Sequence, residues 1–175
     1  MAALNDSERK SLVSELNAEI ERFVAFKSEI NSSATQQDIK NVAEKIKAEW
    51  LKSRLSVASA QGQILAAKEK NLVSDAEAAS SRIQKRIDVL KSSGKATKTY
   101  EKLLSAYGKK IAEAKQDVES AQVKTIAVAS AATDDEKQKL IKEKDLLLKS
   151  SQENIREAYK LITVEARADF SRRYK

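Results

Sequence analysis

The chain has 175 residues with no Pro, no Cys, no His and only 3 Gly; 34 % of its residues are charged, 5 % are aromatic, and the net charge is +7. Without His or Cys there is no disulfide, no thiol catalysis, no Ser–His or Cys–His nucleophile pair, no Glu-x-x-His di-iron site and no His- or Cys-ligated zinc. The three glycines stand alone, so no phosphate-binding or dinucleotide-binding loop is present either.

Ala, Lys, Glu, Ser, Leu, Ile and Gln dominate, several of them strong helix formers. With so few chain breakers this is the composition of long helices and coiled coils. A charged, aromatic-poor chain can also be disordered, but 41 % of the residues are hydrophobic and they recur regularly. The positive charge is spread thinly. Residues 1–33 carry −2, 34–93 carry +4, 94–132 carry +3 and 133–175 carry +2. No concentrated basic block of the kind nucleic-acid domains show is present. No apolar run reaches the roughly 18 residues of a membrane-spanning helix. Met1–Leu4 is too short and uncharged to be a signal peptide, and a signal removed upstream leaves export open.

The first helix is expected from about Asp6 to Asn31, capped by Asn5 or Asp6, with Glu8 in the first turn. Its apolar seam reads Val13, Leu16, Ile20, Phe23 and Ile30, with Lys27 in the same series. Leu12, Val24 and Phe26 widen the stripe, which implies more than one packing partner. Asn31–Ala34 is a tight connection, and Thr35 with Asp38 forms a capping-box variant.

The second helix has no stop until Ser92-Ser93-Gly94, where Gly94 suits the left-handed position after a helix end. A helix over 35–92 is roughly 87 Å long. Its first half has the seam Ile39, Ala43, Ile46, Trp50, Ser53, Val57, Ala60, Ile64 and Ala67; its second half has Leu72, Ala76, Ala79, Ile83, Ile87 and Leu90. The two series do not join in phase. The slip between Gly62 and Leu72 marks a change of partners, with Gly62 permitting close approach, a slight bend or a break.

The third helix is expected from about Thr97 to Ala131, with the seam Tyr100, Leu104, Tyr107, Ile111, Ala114, Val118, Ala121, Thr125 and Val128. Thr133 and Glu136 form a capping box, and a fourth helix follows to about Ser171. Its seam is Ile141, Leu148, Ser151, Ile155, Ala158, Ile162 and Ala166, flanked by Leu147, Tyr159, Leu161 and Phe170, with Asp145 and Lys149 as a supporting pair.

Short connections make neighbouring helices antiparallel. The expected fold is therefore an all-α, elongated antiparallel bundle forming one domain: a hairpin over 6–61 continuous with a three-helix bundle over 62–172. A two-helix hairpin cannot bury a wide apolar stripe. Phe23, Phe26, Trp50 and Leu51 are thus candidate partner contacts, by self-association of hairpins into a four-helix bundle, unless the fourth helix reaches far enough to cover them. For Trp50, at a seam position, core packing is the plainer expectation and a partner anchor the sharper one. Tyr100 and Tyr107 are expected in the core. Arg82, Lys85 and Arg86 share a helical face that could meet phosphate or lipid head groups, or simply be solvated. Arg172-Arg173-Tyr174-Lys175 reads as a solvated end. Acids one turn apart, Glu153 with Glu157 and Glu165 with Asp169, are expected to be solvated rather than catalytic or metal-binding.

The opening Leu4-Asn5-Asp6-Ser7-Glu8-Arg9, followed by LVSELNAEIERFVAFKSEI, resembles helical domains of uncharacterised exported proteins of archaea and bacteria. The resemblance covers residues 4–55. It implies an extracytoplasmic or cell-surface location and a spacer-like or adhesion-like role, and it carries over no catalytic residue. The functional expectation is a non-catalytic structural or interaction protein without cofactor or metal, acting as spacer, scaffold or assembly subunit. Its expected partner is a protein or a second copy of the chain rather than nucleic acid, with peripheral membrane contact left open. The alternative is an amphipathic or basic helical binder of anionic surfaces, lipid or nucleic acid.

Overall fold

A computed structural model of the chain describes residues 4–165, with side chains to Thr163. It is all-α: α1 spans Asp6–Ser32, α2 Gln36–Ser92, α3 Lys98–Ser130 and α4 Asp134–Lys160, and a π-helical turn, Leu161–Glu165, continues α4. α2 runs unbroken through Gly62 for 57 residues, about 86 Å. α4 passes from regular α-helix into the π-helical turn after Lys160, and the expected end at Ser171, with Ala166, Phe170 and the basic end Arg172–Lys175, lies outside the described residues.

The caps explain where the helices begin. Asn5 Oδ1 accepts from the Glu8 amide and the Glu8 carboxylate accepts from the Asn5 amide, both at 2.9 Å. Thr35 and Asp38 make the same reciprocal pair. Its hydrogen bonds, the Thr35 hydroxyl first, hold the Asp38 carboxyl below the usual carboxylate range. The third box is only half formed. Thr133 Oγ1 accepts from the Glu136 amide, but the Glu136 carboxylate reaches past the cap to the Ala132 amide at 3.1 Å. At the end of α2, Gly94 takes φ +74°, and the amides of Gly94 and Lys95 close onto Lys91 and Leu90 carbonyls.

α2 is the spine. α1 lies antiparallel along its first half, tied by Arg22–Glu49 at 2.6 Å and Lys45–Glu29 at 2.7 Å. α3 lies antiparallel along the second half, where the Tyr107 hydroxyl donates to the Ala76 carbonyl at 3.0 Å and Lys115 pairs with Glu77. α4 runs parallel to α2: Lys144 reaches the Ala58 carbonyl and Gln152 reaches Glu69. Lys124–Glu143 and Lys110–Glu157 join α3 to α4. The main core gathers Val73, Ala76 and Ile87 of α2, Leu104, Tyr107, Ile111 and Ala114 of α3, and Ile155 and Ala158 of α4. Tyr100 packs against it.

The inward residues of α2 are Val42, Ser53 and Ala60 toward the hairpin, then Gly62, Ala66, Glu69, Val73, Ala76 and Ile87 toward the bundle. At about 100° per residue, the inward face turns by roughly 160° between the two sets. This is the physical content of the phase slip: α1 and the α3–α4 pair take different faces of one helix, and come together only where Leu12 and Glu15 approach Val128 and Asp134 beside Ser59 and Ala60. The first seam needs correcting on α1. Leu12 is buried and Leu16, Glu19, Phe23 and Phe26 are half-buried toward α2, whereas Val13, Ile20 and Lys27 face solvent. Two apolar series one residue apart compete on this helix, and the inner one begins at Leu12.

Gly62 serves close approach rather than a bend or break. A Cβ there would fall on the Nζ and Cε of Lys144 and within 2.8 Å of its Cδ. Lys144 is fully buried. Its ammonium donates to the Ala58 carbonyl at 3.1 Å and lies 3.5 Å from Asp145. Asp145 therefore pairs with its chain neighbour and not with Lys149 as expected. Two turns along α2, Glu69 is buried as well and accepts from Gln152 Nε2 at 2.8 Å. Burial raises its carboxyl above the usual range, against the pull of Ser151 and Gln152. Glu69 Oε2 and Ser151 Oγ lack a hydrogen-bond partner of normal geometry.

Candidate interaction surface

The hairpin has two unlike edges. Along one run the ion pairs Arg22–Glu49, Lys45–Glu29 and Lys52–Glu49. Along the other run exposed apolar residues, Val13, Ile20 and Val24 from α1 and Ile39, Trp50, Val57 and Ile64 from α2, with the polar Asn17, Lys27 and Gln61 among them. Helical geometry places both rows on the same side. Relative to the contact line between the helices, the α1 row is turned by about 95° and the α2 row by about 65°, toward a common face. The paired charges turn the opposite way.

The expected patch is partly assembled. Phe23 and Phe26 meet edge to face at 6.1 Å, and Phe23 meets Trp50 at 6.4 Å with an interplanar angle of 76°. Phe23 and Phe26 are half-buried against α2, while Trp50 keeps 58 % of its surface exposed. Trp50 is thus not a core residue, because α1 covers only one side of its ring. Leu51 is exposed, but a further 100° or so around α2 it points away from α1 and lies outside the patch. The fourth helix does not cover the hairpin: Asp134 and Lys137 at its start come to the level of Lys52 and Ser56, and α4 runs from there away from Trp50.

The outward row on α2 changes character where α1 ends. From Ile39 to Ile64 it is apolar; continued toward the C-terminus it reads Lys68, Asn71, Asp75, Arg82 and Arg86. Exposed apolar side chains of helical periodicity therefore concentrate on the hairpin. Isolated exposed Leu or Ile residues need no explanation, whereas a contiguous row does. Arg82, Lys85 and Arg86 are exposed on the outer side of α2 beside Val89 and form no ion pair with another described residue.

The titratable groups in and around the bundle are engaged with neighbouring helices. Lys144 and Glu69 are enclosed by side chains of the packed helices and hydrogen-bonded to Ala58 and Gln152. Lys110 bridges Glu113 and Glu157, and those contacts raise its ammonium above the usual range while lowering Glu157. Glu153 is exposed, and Glu157 is committed to Lys110. Asp169 lies outside the described residues. No group of three or more metal-ligating side chains occurs among the described residues, and no helix there is long and apolar enough to cross a membrane. Sequence reasoning missed Lys144 and Glu69. The signal was present, since 141–144–148 and 66–69–73 keep the three–four spacing of the neighbouring seams. No family model, curated protein or solved structure matches the chain.

Proposed function

We propose that this chain is a non-catalytic helical interaction module, a scaffold or assembly subunit whose hairpin docks a second helical surface. The observation that carries this is the apolar row Val13, Ile20, Val24, Ile39, Trp50, Val57 and Ile64, gathered on one face of a two-helix hairpin and rimmed on the other by ion pairs. Two helices alone leave such a face in water, and further helices are the surface that its heptad spacing fits. The α3–α4 bundle packs on the far half of α2 and leaves the hairpin extending beyond it. The test is a photo-crosslinking residue in place of Trp50, compared with one in place of Ile126 on the bundle, in the cells that make the protein. Protein adducts at 50 and not at 126 are expected. Absence of adducts at 50 would refute the reading.

A second reading rests on Arg82, Lys85 and Arg86, which are exposed and form no ion pair with another described residue. Here the chain binds an anionic surface through the outer side of α2. That reading requires binding to anionic vesicles or nucleic acid that weakens steeply with salt and falls in an Arg82→Ala, Arg86→Ala variant. Salt-insensitive binding would exclude it.

A further inference from the structure

We infer that the partner of the hairpin face is a second copy of this chain, bound about a two-fold axis parallel to α2, so that α1 of each copy lies over α2 of the other. This inference rests on the interaction reading and specifies it. Size, shape and charge support it separately.

The hairpin is 27 residues long on α1, about 40 Å, and two helices wide, about 20 Å. One face therefore offers roughly 800 Å², the area per partner of a stable protein–protein interface.

The contacts Phe23–Trp50 and Lys45–Glu29 set which residues of α1 and α2 stand at the same height. On that scale the rows interleave. Val13 stands between Ile64 and Val57, Ile20 stands between Val57 and Trp50, and Val24 is level with Trp50 below Ala43. A rotation about an axis parallel to α2 keeps every height. Val13 and Ile20 of one copy then enter the gaps in the α2 row of the other, as knobs entering holes, and Val24 lies beside Trp50 of the other copy. Every neighbouring helix pair in the resulting four-helix bundle is antiparallel, as in up-down bundles. The α3–α4 halves lie on the far sides of α2 and do not collide.

Charge selects this arrangement over the other two-fold packing. Apart from the residues paired along the opposite edge, α1 carries 3 basic and 5 acidic residues and residues 36–61 carry 3 basic and 2 acidic. Laying α1 over the partner's α2 sets −2 against +1 twice. The alternative axis, perpendicular to the helices, lays α1 on α1 and sets like net charges against each other.

The test uses the whole chain and its single Trp. Light scattering over a wide concentration range should give twice the 19.4 kDa chain mass, with the Trp50 emission maximum moving to shorter wavelength as the dimer forms. Ile20→Glu should abolish both changes with helix content intact, and Ile126→Glu, on the exposed face of α3, should leave both. Mixing Ile20→Cys chains with Val57→Cys chains should give the mixed disulfide in preference to an Ile20→Cys homodimer. A homodimeric disulfide at position 20 would overturn the axis. A monomer at every concentration with unshifted emission would overturn self-association; crosslinks from position 50 to a protein of another mass would then leave the interaction reading standing. An emission shift on adding lipid vesicles to a chain that stays monomeric would overturn the dimer and assign the face to a membrane surface.

Discussion

Replacing Gly62 by Ala should destabilise the protein, although Ala is the better helix former. In a helix interior the exchange gains about 1 kcal/mol. Here the new methyl falls on the Lys144 Nζ and Cε, and Lys144 has no exposed surface through which to retreat. Its ammonium must leave the Ala58 carbonyl, and a hydrogen bond of a charged donor contributes about 1.5–3 kcal/mol. The displaced stem also leaves packing behind. The net expectation is a loss of about 1–2 kcal/mol, or a fall of about 2–8 °C in midpoint for a chain of this size. The cycle with Lys144→Ala decides the mechanism. With the lysine shortened, Gly62→Ala should become stabilising by up to about 1 kcal/mol. Urea unfolding followed by far-ultraviolet circular dichroism measures all four variants. If Gly62→Ala stabilised both backgrounds equally, Gly62 would be a mere weak point in α2 and the seating of Lys144 against it would be wrong.

Three further outcomes follow from the packing. Glu69 is buried with its carboxyl raised, so the folded state holds the proton to higher pH than the unfolded chain; its contribution is greatest below the ordinary value of 4.5 and is lost as pH rises through the folded value. Glu69→Gln keeps the acceptor for Gln152 and should therefore gain stability relative to the parent on going from pH 4 to 7, measured by paired urea titrations. Burial pushes the Tyr107 hydroxyl up to about 12 from 10.0, so its ionisation should erode stability as pH rises across that window. Tyr107→Phe should cost about 1 kcal/mol at pH 7 by losing the bond to Ala76 and remove that alkaline decline, read by thermal melts. Thr133→Ala removes the only side-chain acceptor of the half-formed α4 cap and should cost about 1 kcal/mol in urea unfolding.

Much of the fold was legible because the chain lacks breakers. The caps at Asn5 and Thr35, the stop at Gly94 and the seam of α3 follow from local chemistry, and the phase slip near Gly62 revealed the change of partners. The α1 seam was not legible to the residue. Leu12–Val13 and Phe23–Val24 each offer two neighbouring apolar side chains, and only the helix that arrives decides which turns inward. The same ambiguity hid the status of Trp50: a seam position is buried only if both of its sides are covered. Lys144 and Glu69 were passed over because charged residues are presumed solvated, although each stands where its seam requires an inward side chain. Of the four residues the sequence offered for a contact surface, only Trp50 lies on the exposed apolar row; Phe23 and Phe26 turn toward α2 and Leu51 points away, a choice that needed the inward face of each helix.

Amide hydrogen exchange of the whole chain tests most directly that the hairpin is incomplete alone. In dilute solution the amides of 6–32 and 36–60 should exchange far faster than those around Tyr107, Ile111 and Leu148, and their protection should rise with concentration while the bundle stays unchanged. Hairpin amides as protected as the bundle in the dilute monomer would contradict the need for any second helical surface.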